Sequence, residues 1–194
     1  MSERSFSHAI AEGDGISVVA AVEDADGARA AEAQRAEALV VTRDPTAVRA
    51  ASSLPILWRS DSRLDDAGSA ADAVVLVFNA LEDDGRLEEL HAHALALGLD
   101  CAVEVRDEDE VDQALDRVDP EIFVLSPVEA DRDETPLDVV LDLLAAVPAG
   151  KLAIADLRVT TPDEVQELER AGCDAVIVSG RDISPLTGEP PPEV

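Results

Sequence analysis

The chain has 194 residues, and its 15 Lys and Arg against 43 Asp and Glu leave a formal net charge of −28. A field this negative repels phosphate backbones and excludes a nucleic-acid binder lacking a basic patch; no basic run of five occurs, and no apolar run approaches the ~18 residues of a membrane span. Cys101 and Cys173 make no disulfide framework and Met1-Ser2-Glu3-Arg4-Ser5 lacks the apolar core of a signal peptide, so the expected compartment is a reducing cytoplasm.

High charge alone would suggest disorder. Here 46% of residues are hydrophobic and they arrive in compact runs, with the acidic residues between them. Lys151 is the only lysine; the other 14 cations are arginines. An acidic skin, few lysines and few bulky side chains fit a salt-rich cytoplasm, where salt screens the repulsion among carboxylates. The fold is therefore expected to weaken at low salt.

In chain order, Phe6–Glu12 reads as a short helix and Ile16–Val22 as a buried strand. An alanine-rich helix follows over about Asp26–Ala36, then a strand at Ala38–Thr42. Asp44-Pro45 opens a helix with an acidic N-cap and Pro at its first position. Pro55–Trp58 is a third strand, Ser62–Ala70 a helix and Ala73–Phe78 a fourth strand. A helix from about Asp84 to Leu97 stops at Gly98, and Cys101–Val105 is the fifth strand. The helix Asp107–Arg117 is acidic in its first turn, which suits the helix dipole. Glu121–Leu125 is the sixth strand, and Thr135-Pro136 opens a helix ending near Val147-Pro148. Lys151–Ala155 is the seventh strand, Thr161–Glu164 a capping box leading a helix to Ala171-Gly172, and Asp174–Val178 the eighth strand. From Ser184 through Gly188 to Pro192 the chain reads as turn and extended tail.

Short strands, apolar on both faces and alternating with helices, mean a parallel sheet covered by helices. Eight such units in order predict a closed α/β fold, a shortened (β/α)₈ TIM barrel over residues 1–181 with the eighth helix missing or minimal, followed by a flexible tail over 182–194. The alternative is an open Rossmann-type sheet, but Gly13-Asp-Gly15 precedes the first strand, so no dinucleotide fingerprint is present. A missing eighth helix would leave an apolar flank between the first and last strands, to be covered by a second copy in a homo-oligomer or by the Phe6–Glu12 helix.

On such a barrel, Thr42, Arg43, Arg59, Glu104, Asp156, Arg158 and Ser179 fall at or just past strand C-terminal ends and converge on one opening, where sites of this fold lie. Glu104 sits in an apolar run, either as a base or ligand-binding carboxylate or as half of a structural ion pair with Arg59 or Arg43. Arg59 and Arg158 could hold an anion by bidentate hydrogen bonds. Ser179-Gly180 could offer backbone N–H groups to a phosphate, or be a plain turn. Lys151 opens the seventh strand and is placed at the opposite end, which argues against a Schiff-base lysine in the pocket. His91 and His93, two apart on a helix, diverge, and His8 stands alone, so no metal site is expected. No cofactor is expected.

Several runs resemble indole-3-glycerol phosphate synthase, a tryptophan-pathway (β/α)₈ enzyme. Ala102-Val-Glu-Val-Arg-Asp-Glu-Asp-Glu110 is similar to the family's "LVEVHDEEE", and Gly172-Cys-Asp-Ala-Val-Ile-Val-Ser-Gly180 to "GVDAVLVGES". Leu54-Pro-Ile-Leu-Trp-Arg-Ser-Asp61 resembles "LPVLRKDF", and Ala70-Ala-Asp-Ala-Val-Val-Leu76 resembles "GADAVLL". The resemblance implies a carbon–carbon lyase with a carboxylate base, lysines as acids and a phosphate grip at the last two loops. It assigns catalytic carboxylates to Glu104 and to Asp156, which stands at a family glutamate. The candidate substrate contacts, Arg43, Arg59, Arg158, Ser179 and Gly180, come from their places at strand ends, Ser179 and Gly180 also standing where the resemblance implies a phosphate grip. The lysine of "KDF" becomes Arg59, and the glutamate and lysine of the first-strand "EIK" become Ala21 and Glu23. Arginine stays above ~12 and cannot act as the proton donor that a lysine tuned toward ~7–8 can. The expectation is a diverged barrel that has lost the lyase reaction and binds an anionic small molecule or a partner. The alternative is a working lyase, or a related phosphosugar enzyme, using Glu104 and Asp156.

Overall fold

The computed structural model describes residues 6–11, 15–59, 64, 70–81, 85–127, 135–180 and 182–187. The helix expected over Ser62–Ala70 and the tail beyond 187 lie outside the described residues, apart from Leu64 and Ala70. Eight parallel strands close in chain order: β1 Ser17–Ala21, β2 Ala38–Val41, β3 Ile56–Arg59, β4 Ala73–Val77, β5 Asp100–Val105, β6 Ile122–Leu125, β7 Leu152–Ala155 and β8 Ala175–Ser179. β8 pairs back onto β1 through Ser17 with Ala175 to Ala21 with Ser179, which closes the (β/α)₈ barrel and excludes the open sheet.

The helices are α1 Phe6–Ala11, α2 Ala25–Ala33, α3 Thr46–Arg49, α4 Arg86–Ala96, α5 Glu108–Arg117, α6 Pro136–Ala146 and α7 Pro162–Ala171. Their ends follow the local chemistry. Thr135 with Asp138 and Thr161 with Glu164 form reciprocal capping boxes, each with Pro at the first helical turn. Asp107 accepts the Glu110 N–H at 2.8 Å, and Gly172 closes α7 at φ 94°. Two expectations shift. α2 ends three residues early because Arg35 turns left-handed, φ 65°, and Ala36 N–H closes onto Ala31. The helix expected from Asp44-Pro45 is only four residues, and Asp44 holds Thr46, at 2.9 Å from its N–H, as an Asx turn.

Strand register stacks the interior in layers of four from alternate strands. Ala38, Ala73, Ile122 and Ala175 come lowest, then Val19, Leu57, Ala102 and Ile154, then Val40, Val75, Val124 and Ile177, all buried. α1 inserts Phe6 and Ile10 beneath them, fixed by Ser7 N–H on Asp100 at 2.7 Å and Ser17 Oγ on the Ile10 carbonyl at 3.4 Å. α1 therefore plugs the barrel's base instead of covering the β8–β1 flank.

Carboxylates also hold the base. Glu37, Asp72 and Asp174, each leading into an even-numbered strand, accept a first- or second-residue N–H of the odd strand before it: Val18 at 3.2 Å, Ile56 at 2.8 Å and Ala153 at 2.8 Å. Asp72 also pairs with Arg49, which in turn donates to the Ala70 and Leu54 carbonyls.

Outside the strands, a second cluster joins Val18, Ala20, Val176 and Val178 to the helices. After β8 the described residues form a turn, not a helix. Expected to begin a flexible tail, residues 182–187 instead lie against α2: Ile183 is buried in the outer cluster with Leu186 against it, and Gln34 Oε1 accepts the Ile183 N–H at 2.6 Å.

Candidate binding site at the barrel mouth

The next layer up breaks the apolar pattern. By the same register it holds Ala21 of β1, Arg59 of β3, Glu104 of β5 and Asp156 just past β7. Alternation fixes this: each lies two residues beyond an inward-facing apolar residue, Val19, Leu57, Ala102 or Ile154, and so points the same way. One guanidinium thus shares the layer with two carboxylates and a methyl group.

Arg59 reaches across the opening. Its Nη2 stands 2.6 Å from Asp156 Oδ2 and 3.3 Å from Glu104 Oε2. Arg106 Nη2 lies 3.8 Å from the other Glu104 oxygen, so that buried carboxylate sits between two guanidiniums. Arg59 Nε and Nη2 are buried, and neither completes a hydrogen bond: the Asp156 contact is close, but its N–H is not aimed along the oxygen. Buried donors in this state carry an unpaid desolvation cost that an acceptor placed correctly would relieve.

A cavity of about 900 Å³ opens over this layer. Ala21, Arg59 and Asp156 form part of its floor, and Thr42, Ser179 and Gly180 part of its rim. On the α2 side it meets Glu23, Asp24 and Asp26. Asp24 Oδ1 occupies the start of α2 by accepting the Asp26 and Gly27 N–H groups at 3.1 and 2.8 Å, and Asp26 pairs with Arg29 at 2.6 Å. The helix N-terminus facing the cavity is thus filled by the chain's own carboxylate.

Of the sequence-predicted residues, Arg59, Asp156, Thr42, Ser179 and Gly180 line one cavity, with Glu104 beneath Arg59. Arg43 and Arg158 are exposed on the loops after β2 and β7 and do not line it; neither pairs with a carboxylate among the described residues. Arg43 contributes its carbonyl, which accepts Trp58 Nε1–H at 2.9 Å. Arg106 was missed, although it lies two residues past Glu104 and the period of a strand could have found it. Lys151 lies at the barrel's other end, 2.6 Å from Asp119. Burial pushes the Cys101 and Cys173 thiols up to about 12, so neither is a nucleophile at neutral pH. Among the described residues no group of three or more His, Cys, Asp or Glu could hold a metal ion, and no helix is long and apolar enough to cross a membrane.

The fold is shared with solved structures of low sequence identity. An N-acetylmannosamine-6-phosphate 2-epimerase from Clostridium perfringens superposes with a TM-score of 0.71 at 13% identity, covering 85% of this chain and 86% of that one. A mutant tryptophan synthase alpha-subunit from Pyrococcus furiosus gives 0.67 at 13% identity over 87% and 93%. A thiamine phosphate pyrophosphorylase from Pyrococcus furiosus gives 0.63 at 16% over 84% and 85%. At such identities the likeness is one of fold. Sequence goes further, because the model of one family, indole-3-glycerol phosphate synthase, matches residues 46–183, a stretch running from α3 past β8 that includes Arg59, Glu104, Arg106, Asp156 and Arg158. By that match the chain belongs to the indole-3-glycerol phosphate synthase family.

Proposed function

We propose that this family member no longer carries out the lyase reaction and keeps its barrel mouth as a binding site for an anionic small molecule. The observation that carries the reading is the placement of amines. The chain's only lysine is held by Asp119 at the base, and the mouth offers arginine alone. Arginine binds and orients anions but does not deliver a proton near neutral pH.

Three features support an anionic ligand. Arg59 presents buried donors that lack an aligned acceptor. Arg43 and Arg158, on the exposed loops after β2 and β7 outside the cavity lining, have no carboxylate partner among the described residues of a strongly acidic chain. The Thr42 and Ser179 side chains make no hydrogen bond among the described residues and are available to ligand oxygens. The ligand would enter beside Asp156 and exchange a carboxylate contact of Arg59 for one of its own. A ligand anion reaching the start of α2 would meet Asp24 there, which favours an approach from the β7 and β8 loops.

One observation favours a working lyase instead: Glu104 and Asp156 occupy the same inward layer around the cavity floor, where a base would have to sit. The two readings part in a single experiment. The purified chain in molar salt is incubated with the phosphorylated anthranilate intermediate of the family reaction, and both melting temperature and indole product are followed. The proposal expects stabilisation that is lost on Arg59→Ala, with no product above the uncatalysed background. Product formation overturns the loss of the reaction; absence of stabilisation by phosphorylated anthranilate or indole compounds overturns the anionic ligand.

A further inference from the structure

The mouth cavity does not stop at the barrel. It runs sideways past the outward face of β1, at Ala20 and Val22, along one face of α2, at Ala30, Ala31 and Gln34, and ends on Ile183. This is the flank where an eighth helix would pack against β8 and β1. What fills it among the described residues is the short turn 182–187.

Among the described residues, that turn hydrogen-bonds to the rest of the chain through Gln34. Gln34 Oε1 takes the Ile183 N–H at 2.6 Å and the Ser184 hydroxyl at 3.4 Å. Internally, Leu186 and Thr187 N–H groups close onto the Ile183 carbonyl at 2.9 and 3.2 Å, and Thr187 Oγ1 onto the Ser184 carbonyl at 3.2 Å. The turn therefore keeps its own shape, while Gln34, the buried Ile183 and Thr187 and the packed Leu186 hold it against the barrel. At its root, Gly180 has φ 149°, a backbone state that side-chain-bearing residues rarely adopt. A unit held by side-chain packing and one glutamine, outside any strand ladder, opens more readily than the sheet it rests on.

We propose that the 182–187 turn is a strap that closes the side of the mouth cavity between β8 and α2, with Gln34 as its latch, and that it swings as a unit to admit or release what the cavity holds. Ile183 is both the strap's buried anchor and part of the cavity wall, so moving one opens the other. The strap operates whatever the mouth binds, and its failure leaves the anionic-ligand reading untouched.

Thiol labelling tests this. Ala31→Cys places a thiol on the buried cavity wall, and Ala30→Cys places one at an exposed position of the same wall. Cys101 and Cys173, both 5% exposed, report global unfolding. In molar salt with an aromatic disulfide reagent, the Ala31→Cys thiol should react slowly. Adding Gln34→Ala or Ile183→Ser should speed it at least about tenfold, as expected for a local opening weakened by about 1.4 kcal/mol. Cys101 and Cys173 should stay unreacted, and the Ala30→Cys thiol should react at one fast rate throughout. Hydrogen exchange gives a second reading: the Ile183 amide should exchange well before those of Val176 to Val178, and faster still in Gln34→Ala. An unchanged labelling rate in both strap variants, labelling that proceeds together with Cys101 and Cys173, or an Ile183 amide that exchanges with β8 would each overturn the strap.

Discussion

The barrel's two ends use the same residue types differently. At the base, Glu37, Asp72 and Asp174 each hold a strand amide, Lys151 is tied to Asp119, and Phe6 and Ile10 seal the interior. At the mouth, Arg59 faces two carboxylates without a completed hydrogen bond, and Arg43, Arg158, Thr42 and Ser179 have no side-chain partner among the described residues. Charges committed to backbone groups stabilise the fold; charges left with poor or no partners stay available to something else. This difference, independent of any relative, is what supports the mouth as the end proposed to bind.

Mutations at the two ends should separate stability from binding. The largest loss is expected at the base: Phe6→Ala removes a fully buried ring from the plug and should cost about 4 kcal/mol in chemical denaturation. Asp72→Ala strands the Ile56 N–H and the Arg49 guanidinium and should cost about 3 kcal/mol. Arg59→Met should cost less, about 2 kcal/mol, because Arg59 completes no hydrogen bond, whereas Asp72 holds a backbone N–H. Combining Arg59→Met with Glu104→Gln and Asp156→Asn should recover most of that. An Arg59→Met loss equal to that of Phe6→Ala would erase the contrast between the ends.

Salt sharpens the same contrast. Melting temperature should rise by roughly 5–10 °C between dilute and molar salt as surface carboxylate repulsion is screened. Unchanged melting would contradict the salt-rich reading of the acidic skin. The smallest effect is alkaline. Burial pushes the folded Cys101 and Cys173 thiols up to about 12, above a thiol's ordinary range, so the folded state holds their protons longer than the unfolded state does. Their contribution is complete below about pH 9 and declines as pH rises toward 12. Paired Cys101→Ala and Cys173→Ala changes should flatten that decline in a denaturation series; an unchanged slope would show that the thiols do not titrate with unfolding.

Much of this architecture was legible in the sequence, because alternating apolar runs and caps such as Thr161 with Glu164 are local signals. The closed order of strands followed from the count of units, and the strand-end rule brought Arg59, Asp156 and Ser179 to one opening. What escaped depended on tertiary geometry. The Glu104 pair with Arg59 was among the expected alternatives, but no local pattern says that Arg59 would reach Asp156 as well, that Asp24 would occupy the start of α2, or that α1 would turn under the barrel. The 182–187 turn looked like tail because Ser184-Pro185 and the Gly188 and prolines that follow read as turn and extended chain, while what holds it is the packing of Ile183, Leu186 and Thr187 and a glutamine 149 residues away.

The account rests on the mouth binding without turning over. The most direct measurement is product formation by the native chain, at molar salt, from the phosphorylated anthranilate intermediate. The account predicts binding that depends on Arg59 and no indole product; steady turnover that disappears in Glu104→Gln would contradict it.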